Sequence, residues 1–177
     1  IPTFYGLFRY DGYEVRTYKS NLYTPGLLVN NNVLCVEEDY SHRLWIGTHE
    51  GLCMLDKRTG KMKKLQLDGV SKQRLNEIHV TKENRVYLGY IRGMAYYDEM
   101  QDTLALMTRK NCRGDVPESV NIQTLFEDVN GDLLIGTWKD GLYRYCIKEN
   151  TFLHYPPLDE ENSVLALFQD SRGVMRI

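Results

Sequence analysis

The 177-residue sequence lacks a long apolar run, a block of like charge and a pair of cysteines at metal-binding spacing. No stretch approaches the ~18 apolar residues that a membrane-spanning helix requires. Lysine and arginine total 22 against 24 acidic residues, so there is no basic footprint for nucleic acid, and we expect this segment to bind none. The four cysteines form no CxxC and no Cys-His grouping, which argues against a zinc site. We therefore expect neither a metal nor a cofactor.

The sequence also lacks an initiator methionine and a signal-peptide pattern. We interpret it as an excised segment or a processed form, so the missing signal says nothing about the compartment. No 12-residue stretch shows sustained helical periodicity with capping residues, which excludes a mainly helical fold.

What the sequence does contain is a repeat. In four places a glycine restarts an apolar strand after a short corner, and these glycines are Gly6, Gly51, Gly93 and Gly141. They are separated by 45, 42 and 48 residues. Each of the last three follows a second shared block, whose clearest copies read "VLCVEEDYSHRLWIG" and "IQTLFEDVNGDLLIG". A period of this length indicates a repeat architecture.

Each unit predicts four short strands: one before a polar turn, one ending in Ile-Gly-Thr, one starting at Gly-Leu and one after a second polar turn. Four strands in this period are typical of a β-propeller blade. We predict an all-β fold built of four-stranded antiparallel blades, as a partial propeller over 1–177. About four repeat units cover roughly 1–45, 46–87, 88–134 and 135–177, with blades cut at both ends.

The two ends of the sequence fall at the same point of the repeat, because Ile1 and Ile177 both align with Ile46 and Ile135. We expect the chain to be part of a larger propeller, since open blade edges expose unpaired backbone. Two alternatives stay open: pairing with a second copy, and closure as a ring of four blades.

The polar turn between the first two strands carries an aspartate in the better copies, Asp39, Asp128 and Asp170. The stretch "DVNGD" at 128–132 resembles the start of a calcium loop, but its glycine falls too early and no glutamate follows at the twelfth position. We interpret it as a β-turn in which the Asp side chain bonds its own backbone. His79 aligns with Phe126, and we predict a packed histidine there.

These units resemble the two-component regulator propeller repeat, whose blades carry Asp-x-x-Gly-x-Leu-Trp-Ile-Gly-Thr-x-x-Gly-Leu. The matching stretches are "DVNGDLLIGTWKDGLYRY" and "DYSHRLWIGTHEGL", with His42 in place of the first glycine of the pattern. The second unit departs from the pattern, because Thr81 replaces the aspartate and Tyr90 replaces the threonine.

The resemblance implies a function that composition and spacing do not. Such repeats form the periplasmic sensor region of inner-membrane hybrid two-component regulators in Bacteroides-type bacteria, and similar sensors detect oligosaccharide fragments. Histidine kinase activity would then lie elsewhere in the full protein, and this segment would not be an enzyme. The remainder of the same sensor chain would be a partner, and a homodimer is possible.

The corners between the second and third strands vary from unit to unit, whereas the glycine after them is constant. In a propeller these corners and the connections between blades emerge on one face, around the central channel. A tryptophan ring can stack on a pyranose while polar groups bond its hydroxyls. The resulting ligand-binding candidates are His49, Glu50, Arg92, Trp138, Lys139 and Asp140.

The leading hypothesis is a ligand-sensing propeller segment that recognises an oligosaccharide and signals by conformational change. One alternative is a propeller enzyme of the streptogramin-lyase type, which would need a His and a Glu converging from different blades. Another is a scaffold for protein partners. No catalytic residue can be named from spacing.

Overall fold

The computed structural model describes residues 1–21, 28–67, 73–157, 163–170 and 175–176. All regular elements in these ranges are β-strands, arranged in predominantly antiparallel sheets, so the predicted all-β class is confirmed. Within the same ranges no helix has the length and hydrophobicity that crossing a bilayer requires. The final residue, Ile177, which the sequence aligns with Ile46, lies outside the described residues.

Three sheets contain a complete set of four consecutive antiparallel strands, and we call them blades 2, 3 and 4. Blade 2 consists of β4 (Val33–Glu38), β5 (Arg43–Thr48), β6 (Gly51–Asp56) and β7 (Met62–Leu65). Blade 3 consists of β8 (Leu75–Val80), β9 (Val86–Tyr90), β10 (Gly93–Asp98) and β11 (Thr103–Leu106). Blade 4 consists of β13 (Ile122–Glu127), β14 (Leu133–Thr137), β15 (Leu142–Cys146) and β16 (Thr151–Tyr155).

Incomplete sheets flank these blades on both sides. Blade 1 has three strands, β1 (Pro2–Thr3), β2 (Gly6–Tyr10) and β3 (Val15–Tyr18). A two-stranded sheet at the other end consists of β17 (Phe168–Gln169) and β18 (Met175–Arg176). One strand was not predicted: β12 (Arg113–Gly114) pairs in parallel with β16 and extends blade 4 to five strands. The sequence "NCRGDVPES" reads as a polar connection because two residues give no periodicity.

The first strand of each blade lies against the first strand of the next, so β4, β8 and β13 form the inner side of the assembly. Each inner strand carries a bulge at the same place, where the pairing register shifts by one residue. In blade 3 the extra residue is Asn76, whose amide donates 2.7 Å to the Ile122 carbonyl of blade 4. The bulge thus turns a polar side chain into a link between blades.

The glycine of the Ile-Gly-Thr motif lies where neighbouring blades approach most closely. At Gly136 an added Cβ would lie 2.6 Å from both the carbonyl oxygen and the Cγ1 of Val164, the residue that enters the next unit. At Gly89 it would lie 2.6 Å from Cγ2 of Ile122. Real carbon contacts are longer than this, so the repeat needs glycine here for packing between blades.

The threonine of the motif closes the hairpin that follows. The Thr48 hydroxyl donates 2.7 Å to the carbonyl of Gly51, and the Thr137 hydroxyl donates 2.7 Å to the carbonyl of Gly141. Both threonines are fully buried. Gly51 has a φ of 137°, which side chains rarely adopt, and this explains why glycine restarts the strand.

The predicted role of aspartate in the polar turns is confirmed at Asp39 and Asp128, whereas residues 171–174, which follow Asp170, lie outside the described residues. The buried carboxylate of Asp128 accepts hydrogen bonds from the backbone N–H groups of Asn130 and Asp132, at 2.8 and 3.0 Å. Asp39 accepts from the backbone N–H groups of Ser41 and Arg43 and also from the side chains of Arg43 and Trp45. These bonds hold the turn locally and lower the pKa of Asp39 although burial opposes the charge.

We expect Gly136→Ala to destabilise the protein by about 3 kcal/mol, because one of the clashing atoms is a backbone carbonyl that a rotamer change cannot move. The control is Gly60→Ala. Its φ is 70° and its added Cβ meets open space, so it should cost only about 1 kcal/mol of backbone strain. Denaturant unfolding of both variants measures the difference, and equal losses would contradict close packing at Gly136.

Candidate functional site

The corners between the second and third strands, which we call the hairpin tips, all lie at the end of the blades where the inner strands begin. The backbone N–H of His49 donates to the carbonyl of Asn32, and the Trp138 N–H donates to that of Asn121, at 3.0 and 2.9 Å. Both acceptors immediately precede an inner strand. The expectation that tips and blade connections share one face is therefore met, and each tip is fixed to the start of its own blade.

The tip of blade 4 is one residue longer than the others and is held at every residue. Besides the Trp138 bond, the Lys139 N–H donates 3.1 Å to the Ser163 hydroxyl, and the Asp140 N–H donates 3.2 Å to the Thr137 hydroxyl. Lys139 has a φ of 64°, which turns the chain sharply. The Trp138 side chain is 49% exposed, so a fixed backbone presents an accessible indole ring.

Two residues that the sequence analysis missed support this tip from below. The Tyr143 hydroxyl donates 2.6 Å to the Asp140 carboxylate, and the His154 Nε2 lies 2.8 Å from the Asp140 carbonyl. The two rings stack at 4.2 Å, since they form a cross-strand pair between β15 and β16. Burial and the Asp140 carboxylate raise the pKa of Tyr143, which keeps its hydroxyl protonated and able to donate. The alternating residues of the strand-like stretches "GLYRY" and "FLHY" were the sequence signal that could have pointed to Tyr143 and His154.

The other candidates lie on the tips of blades 2 and 3. His49 and Arg92 are exposed, and Glu50 is half-buried. Glu50 lines a cavity of 240 Å³ together with Gln73 and Tyr90, which join it from the next blade. The structure therefore places all six predicted residues on one face, on three separate hairpins. Asp140 was predicted to contact a ligand, but its carboxylate accepts a hydrogen bond from Tyr143 and helps to hold the tip in its conformation.

The inner strands carry a second set of polar residues. Burial, and to a smaller extent the nearby Glu37 carboxylate, raise the pKa of Glu77 to about 7. Burial also raises the pKa of Glu37, although its carboxylate accepts a 3.1 Å hydrogen bond from the Val80 N–H. His79 is half-buried rather than fully packed, and burial lowers its pKa. The described residues hold no group of three His, Cys, Asp or Glu side chains that could bind a metal ion.

Comparison with known sequences identifies the repeat. The family model described as two component regulator propeller matches residues 27–50, which cover β4, β5 and the tip of blade 2. One stretch of the chain is therefore similar to a two component regulator propeller repeat. The matched residues include the Asp39 turn and the motif Trp45-Ile46-Gly47-Thr48, whose structural roles were described above. No curated protein sequence matches the chain significantly.

Solved structures share the fold of these propeller repeats at low sequence identity. The extracellular domain of a putative hybrid two component system from B. thetaiotaomicron aligns with a TM-score of 0.77 and 21% identity over 97% of this chain. PorZ from Porphyromonas gingivalis aligns with a TM-score of 0.71 and 13% identity over 96% of this chain. Virginiamycin B lyase from Staphylococcus aureus aligns at 0.69 and 9% over 92%.

The length of these relatives sets the scale of the segment. The chain spans 23% of the B. thetaiotaomicron domain, 28% of PorZ and 52% of the lyase. At these identities the likeness shows the fold alone, and the predicted β-propeller architecture is confirmed.

The raised pKa of Glu77 predicts a pH-dependent stability. Unfolded glutamate titrates near 4.5, so the folded state holds a proton that the unfolded state loses as the pH rises from there towards 7. The protein should therefore lose roughly 2–3 kcal/mol of stability over that window relative to Glu77→Gln. Urea unfolding of both proteins at several pH values measures the difference. Glu149→Gln, which changes an exposed carboxylate, should follow the wild type, and parallel curves for Glu77→Gln would contradict the shift.

Proposed function

We propose that this propeller segment belongs to the extracytoplasmic sensor region of a hybrid two-component regulator and binds an oligosaccharide fragment. The match to the two component regulator propeller model supports the sensor class. The fold it shares with the extracellular domain of the putative B. thetaiotaomicron hybrid system supports a periplasmic location. The segment itself acts by binding, and kinase activity would reside in another part of the full protein.

The observation that carries the proposed ligand class is the exposed Trp138 ring on a fixed tip. Three backbone hydrogen bonds hold the tip before any ligand arrives, so binding would not have to order it. An indole face offers a large apolar surface, which suits the C–H face of a pyranose. Lys139 on the same tip, with Arg92 and His49 on the tips of blades 3 and 2, would supply donors for hydroxyl groups.

The proposed signal is a shift between two arrangements of the sensor region. A ligand would contact tips on several blades and also the chain that follows the propeller. It would favour the arrangement of the sensor region in which all of these contacts form together. Each tip is bonded to the start of an inner strand, so a ligand on the tips bears directly on the inner side of the blades. The remainder of the same chain is the proposed partner in this step.

We expect Trp138→Ala to weaken oligosaccharide binding by roughly tenfold or more, the equivalent of about 1.4 kcal/mol. The ligand is first selected by screening the protein against an array of short oligosaccharides, and the affinity is then measured by calorimetry. The half-exposed ring contributes little to the core, so the variant should keep the thermal stability of the wild type.

The matched control is Tyr13→Ala, because Tyr13 is 99% exposed and lies in the turn between β2 and β3, away from the hairpin tips. It should leave the affinity unchanged. Unchanged affinity in Trp138→Ala would remove Trp138 from the site. Absence of binding to every array member would contradict the oligosaccharide proposal.

A further inference from the structure

The groove between blades 2 and 3 is filled by an arginine. The guanidinium carbon of Arg43 lies 5.5 Å from the ring centre of Trp45 and 5.3 Å from that of Tyr97. Two carboxylates hold it there: Asp39 accepts at 2.6 Å from Nε, and Glu99 of blade 3 lies 3.0 Å from Nη1. The Arg43 side chain is only 13% exposed. Burying this cation depends on both carboxylates.

The corresponding groove between blades 3 and 4 has the arginine and the rings but lacks both carboxylates. Counting from the repeat glycines, Arg85 corresponds to Arg43, and the Tyr87 and Tyr145 rings, 6.0 Å apart, correspond to Trp45 and Tyr97. The position of Asp39 is occupied by Thr81. Thr81 is equally buried and its hydroxyl accepts the Arg85 backbone N–H, so the turn survives while the charge is lost.

The second carboxylate is replaced as well, because Ile147 corresponds to Glu99. Without these anions the Arg85 side chain stays 57% exposed, and it forms an ion pair with Glu83 at 3.5 Å. Exposed pairs of this kind contribute little. The groove is consequently open, with a volume of 770 Å³ and walls that include Tyr87, Tyr96, Met107 and Tyr145.

Three carboxylates also face this groove, and each already has a partner. Glu99 pairs with Arg43 of the neighbouring groove. Asp98 accepts the backbone N–H groups of Met100 and Gln101, at 3.0 and 3.1 Å. Glu83 is the exposed partner of Arg85 and can turn into solvent, since its side chain is 68% exposed. The cation that lines this groove is Arg85, and its guanidinium becomes available to the anion of a ligand when Glu83 turns into solvent.

We propose that the groove between blades 3 and 4 is a binding site for a carboxylate carried on a small organic ligand. The ligand carboxylate supplies the anion that Asp39 supplies to Arg43, forms a bidentate pair with Arg85 and draws its guanidinium towards the tyrosine rings. The body of the ligand occupies the space beside Tyr96 and Met107. This site is separate from the hairpin tips and does not depend on the function proposed for them.

The test is titration of the protein with D-glucuronate, N-acetylglutamate and D-glucose, followed by NMR chemical-shift changes. We expect at least one of the two carboxylates to bind with shifts at Arg85, Tyr87 and Tyr145, and neutral glucose to produce none there. Stronger binding of glucuronate identifies a sugar acid as the ligand, and stronger binding of N-acetylglutamate identifies an acidic amino-acid derivative. Failure of both carboxylates to shift these residues overturns the proposal.

Two variants test the mechanism from opposite sides. Arg85→Gln removes the cation and should lower the carboxylate affinity at least about tenfold. Thr81→Asp supplies the missing carboxylate from within, so Arg85 should pair with it, the groove should close and binding should fall to a similar extent. Because Arg85 is exposed, Arg85→Gln should fold normally even if Thr81→Asp does not.

The matched control is Arg58→Gln, an arginine whose side chain is 67% exposed beside Asp56 in the turn before β7. It should bind the carboxylate as the wild type does. Equal affinities in Arg85→Gln and the wild type would overturn the assignment of Arg85, as would a loss of affinity in Arg58→Gln of the same size as that in Arg85→Gln.

Discussion

The distance between neighbouring blades at the Ile-Gly-Thr motif constrains everything else in this fold. The second strand of one blade passes the chain that enters the next unit so closely that a methyl group at Gly89 would overlap Ile122, and one at Gly136 would overlap Val164. With the blades that close, buried side chains from two sheets interdigitate into shared clusters, such as the one that contains Trp45 of blade 2 and Leu88 of blade 3. The blades are therefore stabilised as neighbours, and each depends on the next to cover its apolar face.

Local hydrogen bonds hold the turns, so the turns do not depend on contacts with the core. A single carboxylate, as at Asp39 or Asp128, satisfies the backbone of its own turn, and a threonine hydroxyl closes each of the hairpins at Thr48 and Thr137. Because the tip residues Glu50 and Asp140 join these bonds through their backbone N–H groups, the side chains at the tips can vary without altering the packing. The same logic explains how blade 3 tolerates Thr81: the hydroxyl keeps the backbone bond and only the charge disappears.

Repetition made the fold predictable, and departures from repetition made the sites hard to predict. Gly51, Gly93 and Gly141 recur at blade spacing, so strand order and the face of the hairpin tips followed from alignment alone. The pairing of Asp140 with Tyr143 could not follow, because it depends on a one-residue-longer tip folding back over β15. The groove at Arg85 was also beyond reach, since an exposed arginine and a buried one look identical in sequence. Strand β12 was not predicted because its two residues are too few to show a periodic pattern.

The extra residue in the tip of blade 4 has a consequence for how such a protein could be altered. The bonds from Thr137 to Gly141 and from Trp138 to Asn121 close the base of that hairpin, so the chain enters and leaves the tip at fixed points. A longer segment grafted between these points would inherit the anchoring while the blade keeps its register. The propeller can therefore serve as a rigid frame on which recognition loops of different length are exchanged one blade at a time.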